Sequence, residues 1–247
     1  FNSAIDYTKR SIQITSENAD KPSVDKHHLV KLYNNLRIYY DSLKLEDEMN
    51  AAVDSMIAMS IRFKSGYEFV MPELSKRTVY WYNVGDYHKC LSHALTGESF
   101  AREREDIIYG FYYLLWKVNA HFALKQYGEA RRMLENAGEL LQEAELSTVP
   151  YIRAQLGTLY AQLAEAYAHD GQDKQALQFF QKALHYEKQL GTKEGCAQIL
   201  TNWSYYLYHK KLKDYAKALM FYKKALAFSD ETEAINIYSN IANVYVE

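Results

Sequence analysis

Proline and cysteine are scarce in this chain. Three prolines, two cysteines and ten glycines stand among 247 residues. So few breakers of regular structure are typical of a protein built mainly from helices. Cys90 and Cys196 lie far apart in the sequence and form neither a disulfide framework nor a CxxC metal site. We expect both to pack as small apolar residues.

The chain also lacks a large excess of charge of either sign. Its formal net charge is −2, which argues against a general surface for nucleic acid or for anionic lipid. The most apolar window, residues 107–116, is too short to cross a bilayer and predicts a buried helix. We therefore expect neither nucleic acid nor a membrane as a direct partner of this segment.

Signatures of catalysis and of cofactor binding are missing. The sequence contains no GxSxG, no phosphate-binding glycine-rich loop, no HExxH and no Cys/His cluster at metal-ligand spacing. Its eight histidines are scattered. We predict that this segment is not an enzyme and has no catalytic residue, no cofactor and no bound metal. The full-length protein stays open on this point.

Tyrosine, by contrast, is abundant. The chain has 23 tyrosines, against 10 phenylalanines and three tryptophans. A tyrosine ring packs against apolar neighbours while its hydroxyl stays in water. An array of helices with two solvent-facing sides offers many such half-buried positions, so this composition favours one.

An internal repeat indicates what kind of array this is. The segment QALQFFQKAL at 175–184 recurs as KALMFYKKAL at 217–226. The clearer copy, 156–190, reads as two amphipathic helices around a turn at Gly171. Its apolar positions recur every three or four residues: Leu159, Tyr160, Leu163, Ala164 and Tyr167 in the first helix, and Ala176, Phe180, Ala183 and Leu184 in the second.

This pattern closely resembles the tetratricopeptide repeat (TPR). The resemblance rests on Leu163-Ala164, Tyr167, Gly171, Ala176, Phe180 and Ala183. It implies an all-α fold: a right-handed superhelical α-solenoid of antiparallel helix pairs, whose first helices line a concave groove. Equivalent small residues at 97, 137, 183 and 225 lie 40, 46 and 42 residues apart, against about 34 in the usual repeat. Such long periods are similar to those of bacterial peptide-sensing regulators and TPR-bearing sensor histidine kinases.

We predict a single array over residues 1–247. Helix pairs are expected at 72–100, 105–143, 151–190 and 194–229, after a degenerate pair at 27–66 that has Leu45-Glu46-Asp47 in place of a turn glycine. Residues 1–17 read as the second helix of a cut repeat, and residues 232–247 as the first helix of another. Both ends fall inside a helical pattern, so we expect further sequence on either side.

Three asparagines form a stripe on the last predicted helix. Asn236, Asn240 and Asn243 stand at positions i, i+4 and i+7, which share one helix face. We expect a separate apolar stripe of Tyr238, Ile241, Ala242 and Tyr245 to face the stack. In the repeat family the asparagine positions point into the groove. Matching positions on earlier first helices hold Asn202, then Thr158, Gln162 and Glu165, and before them Asn119.

This polar row suits a peptide or protein ligand. A side-chain amide offers both a donor and an acceptor, so it can hold the backbone of an extended peptide without reading its sequence. Tyr205 and Tyr206 would add walls for ligand side chains. The alternative is a row that is only solvated, because asparagine is common at these positions in the family. The carboxylate-clamp variant of the family uses Lys and Arg as well, and their absence here argues against a receptor for chaperone tails.

The sequence therefore predicts a non-catalytic protein- or peptide-binding module, the sensory or scaffold segment of a larger bacterial signal-transduction protein. The alternative is a structural spacer or dimerisation array, with a homodimer as the partner, attached to a catalytic domain such as a histidine kinase outside this segment. A cytoplasmic location is favoured. A periplasmic one would need a signal peptide ahead of Phe1.

Overall fold

All regular secondary structure of the chain is helical, without a β-strand, in a computed structural model that describes residues 1–247. This confirms the predicted all-α class. Its internal contacts divide it into two compact units, 1–80 and 81–247, and each unit is described by itself. None of the helices combines the length and the apolar character that a bilayer span requires.

The first unit is a small stack of helices. Helix α1 packs on α2, and α2 packs along α3. Its core is formed by Ile5, Leu36, Tyr40 and Ala52. The Asp25 carboxylate caps α2 by accepting a hydrogen bond from the His27 N–H at 3.0 Å. The helices of this unit are α1 (Asn2–Glu17), α2 (Lys26–Ser42), α3 (Glu46–Phe63) and the first part of α4 (Tyr67–Asn83).

The second unit carries the clearer repeats. Helices that follow one another in sequence contact each other, from α5 and α6 through to α12 and α13. The first helices of successive repeats, α6, α9, α11 and α13, also contact one another in that order. They are α5 (Tyr87–Glu103), α6 (Ile107–Ala123), α7 (Tyr127–Asn136), α8 (Gly138–Leu146), α9 (Pro150–His169), α10 (Asp173–Leu190), α11 (Lys193–Trp203), a π-helix (Ser204–Lys211), α12 (Tyr215–Leu226) and α13 (Glu231–Val246).

Small buried residues let these helices approach closely. Ala183 and Ala225 are fully buried at equivalent places in the two clearest repeats. At the matching place in α5, Gly97 lies so close to the buried Tyr113 ring of α6 that a methyl group would collide with it. Phe180 fills the space beside them, with its ring stacked on Trp203 at 5.8 Å between centroids. Short side chains at the helix contacts and rings at the crossings are the packing that the repeat pattern predicts.

One left-handed residue marks the turn within each repeat. Positive φ angles occur at Lys44, Gly85, Lys125, Gly171 and Lys213, which lie 41, 40, 46 and 42 residues apart. Glycine adopts this conformation without steric cost, whereas lysine does not. The sequence therefore showed only two of the five turns, and the degenerate copy near Leu45 has its turn residue in Lys44.

The predicted apolar face of the last helix is wrong. Tyr238, Ala242 and Tyr245 are exposed, and Ile241 is only partly covered. The buried residues of α13 are instead Ile237 and Val244, seven positions apart on a narrow seam. Ile237 and Val244 lie directly beside the asparagine stripe. The stripe therefore borders the contact with α11 more closely than the sequence suggested.

Candidate functional site

A cavity of about 410 Å³ lies between α13 and the helix formed by α11 and the π-helix. It brings together six of the predicted site residues: Asn202, Tyr205, Tyr206, Asn236, Asn240 and Asn243. Its other walls are Ala197, Gln198, Thr201, Glu233 and Ile237. Four predicted residues, Asn119, Thr158, Gln162 and Glu165, lie outside it.

Local structure explains why the asparagines face the cavity. Asp230 starts α13 by accepting a hydrogen bond from the Glu233 N–H at 2.7 Å. The buried Ile237 and Val244 then fix the rotation of the helix. With these two on the contact, positions 236, 240 and 243 fall on the edge that borders α11.

The opposite wall is shaped by a change of helix type. After Trp203 the backbone continues as a π-helix, and the Leu212 N–H donates to the Leu207 carbonyl five residues earlier. Such wider turns are rare and frequently occur at functional sites. Here the π-helix presents Tyr205 and Tyr206 edge to face, with 5.1 Å between ring centroids. The sequence pattern gave no sign of it.

Several side chains of the predicted polar row form hydrogen bonds with one another. The Gln162 amide donates to Asn119 Oδ1, linking α9 to α6. The Asn202 amide donates to Glu165 Oε1, linking α11 to α9, and Asn202 Oδ1 accepts from Gln198 at 2.8 Å. Thr158 lies exposed on α9 without such a contact. These bonds hold neighbouring first helices together and leave Asn202 little capacity for a ligand.

The three asparagines of α13 differ in this respect. Asn236, Asn240 and Asn243 all border the cavity, and their side chains make no hydrogen bond within the protein. Each amide keeps its donors and its acceptor. The part of the row that remains available to a ligand is therefore the stripe on α13.

Glu165 is a buried carboxyl beneath this wall. Its side chain is almost fully enclosed, and burial raises its pKa to about 8, although the Asn202 hydrogen bond opposes the shift. Burial, with Glu165 nearby, also raises the pKa of the Tyr206 hydroxyl. The Tyr206 ring meets His169, which stacks on Tyr127 at 3.7 Å between centroids. This wall of the cavity is thus supported by a packed cluster rather than by loose side chains.

Sequence reasoning missed several residues of the cavity. Glu233 precedes Asn236 by one turn on the same stripe, so extending the stripe backwards would have found it. Gln198 stands four residues before Asn202 and is found by the same spacing. Ala197, Thr201 and Ile237 gave no polar signal and are recognised only from the packing.

A larger recess of about 830 Å³ lies elsewhere in the second unit, among α5, α6, α7 and α8. It contains none of the predicted site residues. Lys117, which lines it, is buried and forms an ion pair with Glu98 at 2.6 Å, so its charge is already matched. No group of three or more His, Cys, Asp or Glu side chains is placed to hold a metal ion.

Solved structures of known proteins share this fold. The chain is 13% identical to aspartyl phosphate phosphatase F from Bacillus subtilis, covering 90% of this chain and 61% of that one at a TM-score of 0.55. It is 18% identical to a signal transduction ATPase with numerous domains and a tetratricopeptide repeat sensor from Pyrococcus horikoshii, covering 96% and 36% at a TM-score of 0.62. The chain is 14% identical to the apo form of RapI, and the match covers 96% of this chain and 85% of that one at a TM-score of 0.55.

At these identities the likeness shows the fold alone, and that fold is TPR-like, as the sequence predicted. The chain spans only 61% and 36% of the length of the first two proteins. The comparison with curated protein sequences gave no match.

A family model describes most of the second unit. The model of the RNPP family C-terminal domain matches residues 87–241. That range is more than half of the chain, runs from the start of α5 into α13, and includes every wall of the cavity except Asn243. The chain therefore belongs to the RNPP family, with its C-terminal domain at residues 87–241.

Proposed function

We propose that this chain is a non-catalytic module that binds a peptide or protein segment in the cavity between α11 and α13. The observation that carries the proposal is the set of Asn236, Asn240 and Asn243. Three amides border one cavity and make no hydrogen bond in the protein; Asn240 is half-buried and the other two are exposed, so their donors and acceptors are open to a ligand. An extended peptide offers a matching row of backbone N–H and C=O groups.

The setting we propose is a larger bacterial signal-transduction protein, in which this chain is the sensory or scaffold segment. Family membership supports this, and so do two proteins of similar fold, an aspartyl phosphate phosphatase and a signal transduction ATPase with a repeat sensor. The chain covers only part of either protein, so a catalytic or effector domain outside these residues belongs to the same proposal.

The test uses peptides selected by the protein itself. The 247-residue chain is incubated with a pool of random hexapeptides, and bound peptides are recovered by gel filtration and identified by mass spectrometry. A recovered peptide is then titrated calorimetrically into the wild type, Asn240→Ala and Asn243→Ala. Each lost hydrogen bond should weaken binding by about three- to tenfold.

Asn136→Ala is the matched control, because Asn136 is an exposed asparagine on α7 outside the cavity. It should bind as the wild type does. Unchanged affinity in both cavity variants would remove the asparagine stripe from consideration.

A spacer or dimerisation array is the second candidate, and one observation favours it. Tyr238 and Tyr245 on α13 are 60% and 70% exposed. Together with the exposed Ile235 and Val246 they form an apolar face, and large exposed apolar faces commonly mark contacts with another protein. The partner in this case would be a second copy of the chain.

A further inference from the structure

The cavity between α11 and α13 has one acidic side chain in its walls and no basic one. That side chain is Glu233, in the first turn of α13. The nearby lysines of the π-helix are engaged elsewhere: Lys210 Nζ lies 2.6 Å from Glu247, and Lys211 Nζ lies 4.0 Å from Asp173. No cation of the cavity wall therefore neutralises Glu233.

Helix capping does not account for Glu233. A glutamate three residues after the N-cap usually reaches back to the N-cap N–H in a capping box. Here Asp230 accepts from the Glu233 N–H, but the reciprocal bond is missing and Glu233 Oε2 is buried without a hydrogen-bond partner. A buried carboxylate oxygen without a donor is costly. Because Glu233 is only partly buried, lines the cavity and makes no side-chain hydrogen bond or ion pair in the protein, its carboxylate can pair with a cationic group that enters the cavity.

The position of Glu233 also fits a peptide. Glu233 and Asn243 both line the cavity and are ten residues apart on one helix, which is about 15 Å along its axis. An extended chain of four to five residues spans that distance. A peptide held by the asparagine stripe can thus place a side chain or its amino terminus at Glu233.

We infer that Glu233 is a specificity-determining residue that selects ligands with a cationic nitrogen. This inference rests on the proposed peptide-binding function. The asparagines hold the backbone without reading side chains, and Glu233 supplies the discrimination between basic and neutral ligands. The shared chemistry is an ammonium or guanidinium group, from Lys, Arg or a free amino terminus.

The experiment is affinity selection from two pools of random hexapeptides, one with free and one with acetylated amino termini, on the full chain. The readout is the frequency of each amino acid at each position of the retained peptides. Lys and Arg should be enriched several-fold at one position in the acetylated pool if a side chain supplies the cation. Preference for the free pool without such enrichment assigns the cation to the amino terminus, and either result supports the inference.

Variants separate charge from fold. Glu233→Gln should lose this selectivity while retaining neutral peptides, and its affinity for a selected basic peptide should fall about tenfold. Glu231→Gln, an exposed neighbour on the same helix turn that does not line the cavity, should behave as the wild type. A version of the selected peptide without its cation should bind the wild type and Glu233→Gln equally. The cation is removed by norleucine in place of the basic residue, or by acetylation where the amino terminus supplies it.

The failures are distinguishable. Retained peptides without any cationic preference, or a preference that survives in Glu233→Gln, would overturn the role of Glu233 and leave peptide binding intact. Retention of no peptide from either pool would contradict the proposed function and this inference with it.

Discussion

Asn202 and Asn240 are both amides that line the same cavity, yet they are not equivalent. The Asn202 amide donates to Glu165 and its carbonyl oxygen accepts from Gln198, whereas the Asn240 side chain makes no hydrogen bond in the protein. Replacing Asn202 would break a contact between α9 and α11 as well as alter the cavity. The cleanest variants for binding are therefore on α13.

Glu165 makes a pH-dependent contribution to stability. Its folded pKa of about 8 exceeds that of an unfolded glutamate, about 4.3. Between these values the unfolded chain has released a proton that the folded protein retains, so raising the pH favours unfolding. Stability should fall as pH rises through this window, by on the order of 5 kcal/mol from this residue.

Urea unfolding of the wild type and Glu165→Gln at about pH 5 and pH 8 checks this. Glutamine keeps an oxygen that can accept from Asn202 but cannot ionise. The variant should be nearly level with the wild type at the lower pH and more stable at the higher one. Parallel curves for the two proteins would show that Glu165 does not retain its proton.

At the scale of the element, the second helix of the clearest repeat depends on Phe180. This ring is fully buried in α10 and stacks on Trp203 of α11. Phe180→Ala should lower the free energy of unfolding by about 3–5 kcal/mol, through lost burial and the cavity that remains. Because each repeat contacts mainly its neighbours, amide exchange should rise most in α9, α10 and α11.

Tyr245→Ala is the control for that measurement, since the Tyr245 ring is largely exposed on α13. Its effect should stay within about 0.5 kcal/mol. A loss for Phe180→Ala no larger than that for Tyr245→Ala would contradict the packing described for α10.

Helices were more predictable from the sequence than the details of their surfaces. Small residues such as Ala183 and rings such as Phe180 recur at the intervals that packing requires, and Gly85 and Gly171 mark turns by their conformational freedom. Lys125 and Lys213 adopt the same left-handed backbone conformation because the surrounding fold requires it. No local sequence pattern reveals that requirement. For α13 we predicted a buried face that includes Tyr238, whereas Ile237 is buried instead. Apolar residues occur on more than one side of this helix, so the sequence alone leaves the rotation of the helix ambiguous.

The juxtaposition of the candidate site residues was predictable only in part. Asn202 and Asn240, at repeat-equivalent positions of helices that contact in order, border one cavity. Hydrogen bonds between helices, such as that from Gln162 to Asn119, depend on distances that sequence spacing does not contain. The π-helix that carries Tyr205 has no signal in the apolar periodicity.

For the whole molecule, the choice between a monomeric receptor and a dimerising array depends on the exposed face of α13. Sedimentation velocity at several concentrations distinguishes them. If Tyr238 and Tyr245 form a dimer contact, the weight-average mass should rise with concentration, and the double variant Tyr238→Ser with Tyr245→Ser should stay monomeric. A wild type that remains monomeric throughout would contradict self-association and leave the face to another partner.

The most direct measurement of the central claim is nuclear magnetic resonance of the side-chain amides while a selected peptide is added. We predict that the NH₂ resonances of Asn236, Asn240 and Asn243 shift in a saturable way, and that the exposed Asn136 does not respond. Saturable binding with these three resonances unmoved would show that the ligand sits elsewhere and would contradict the account.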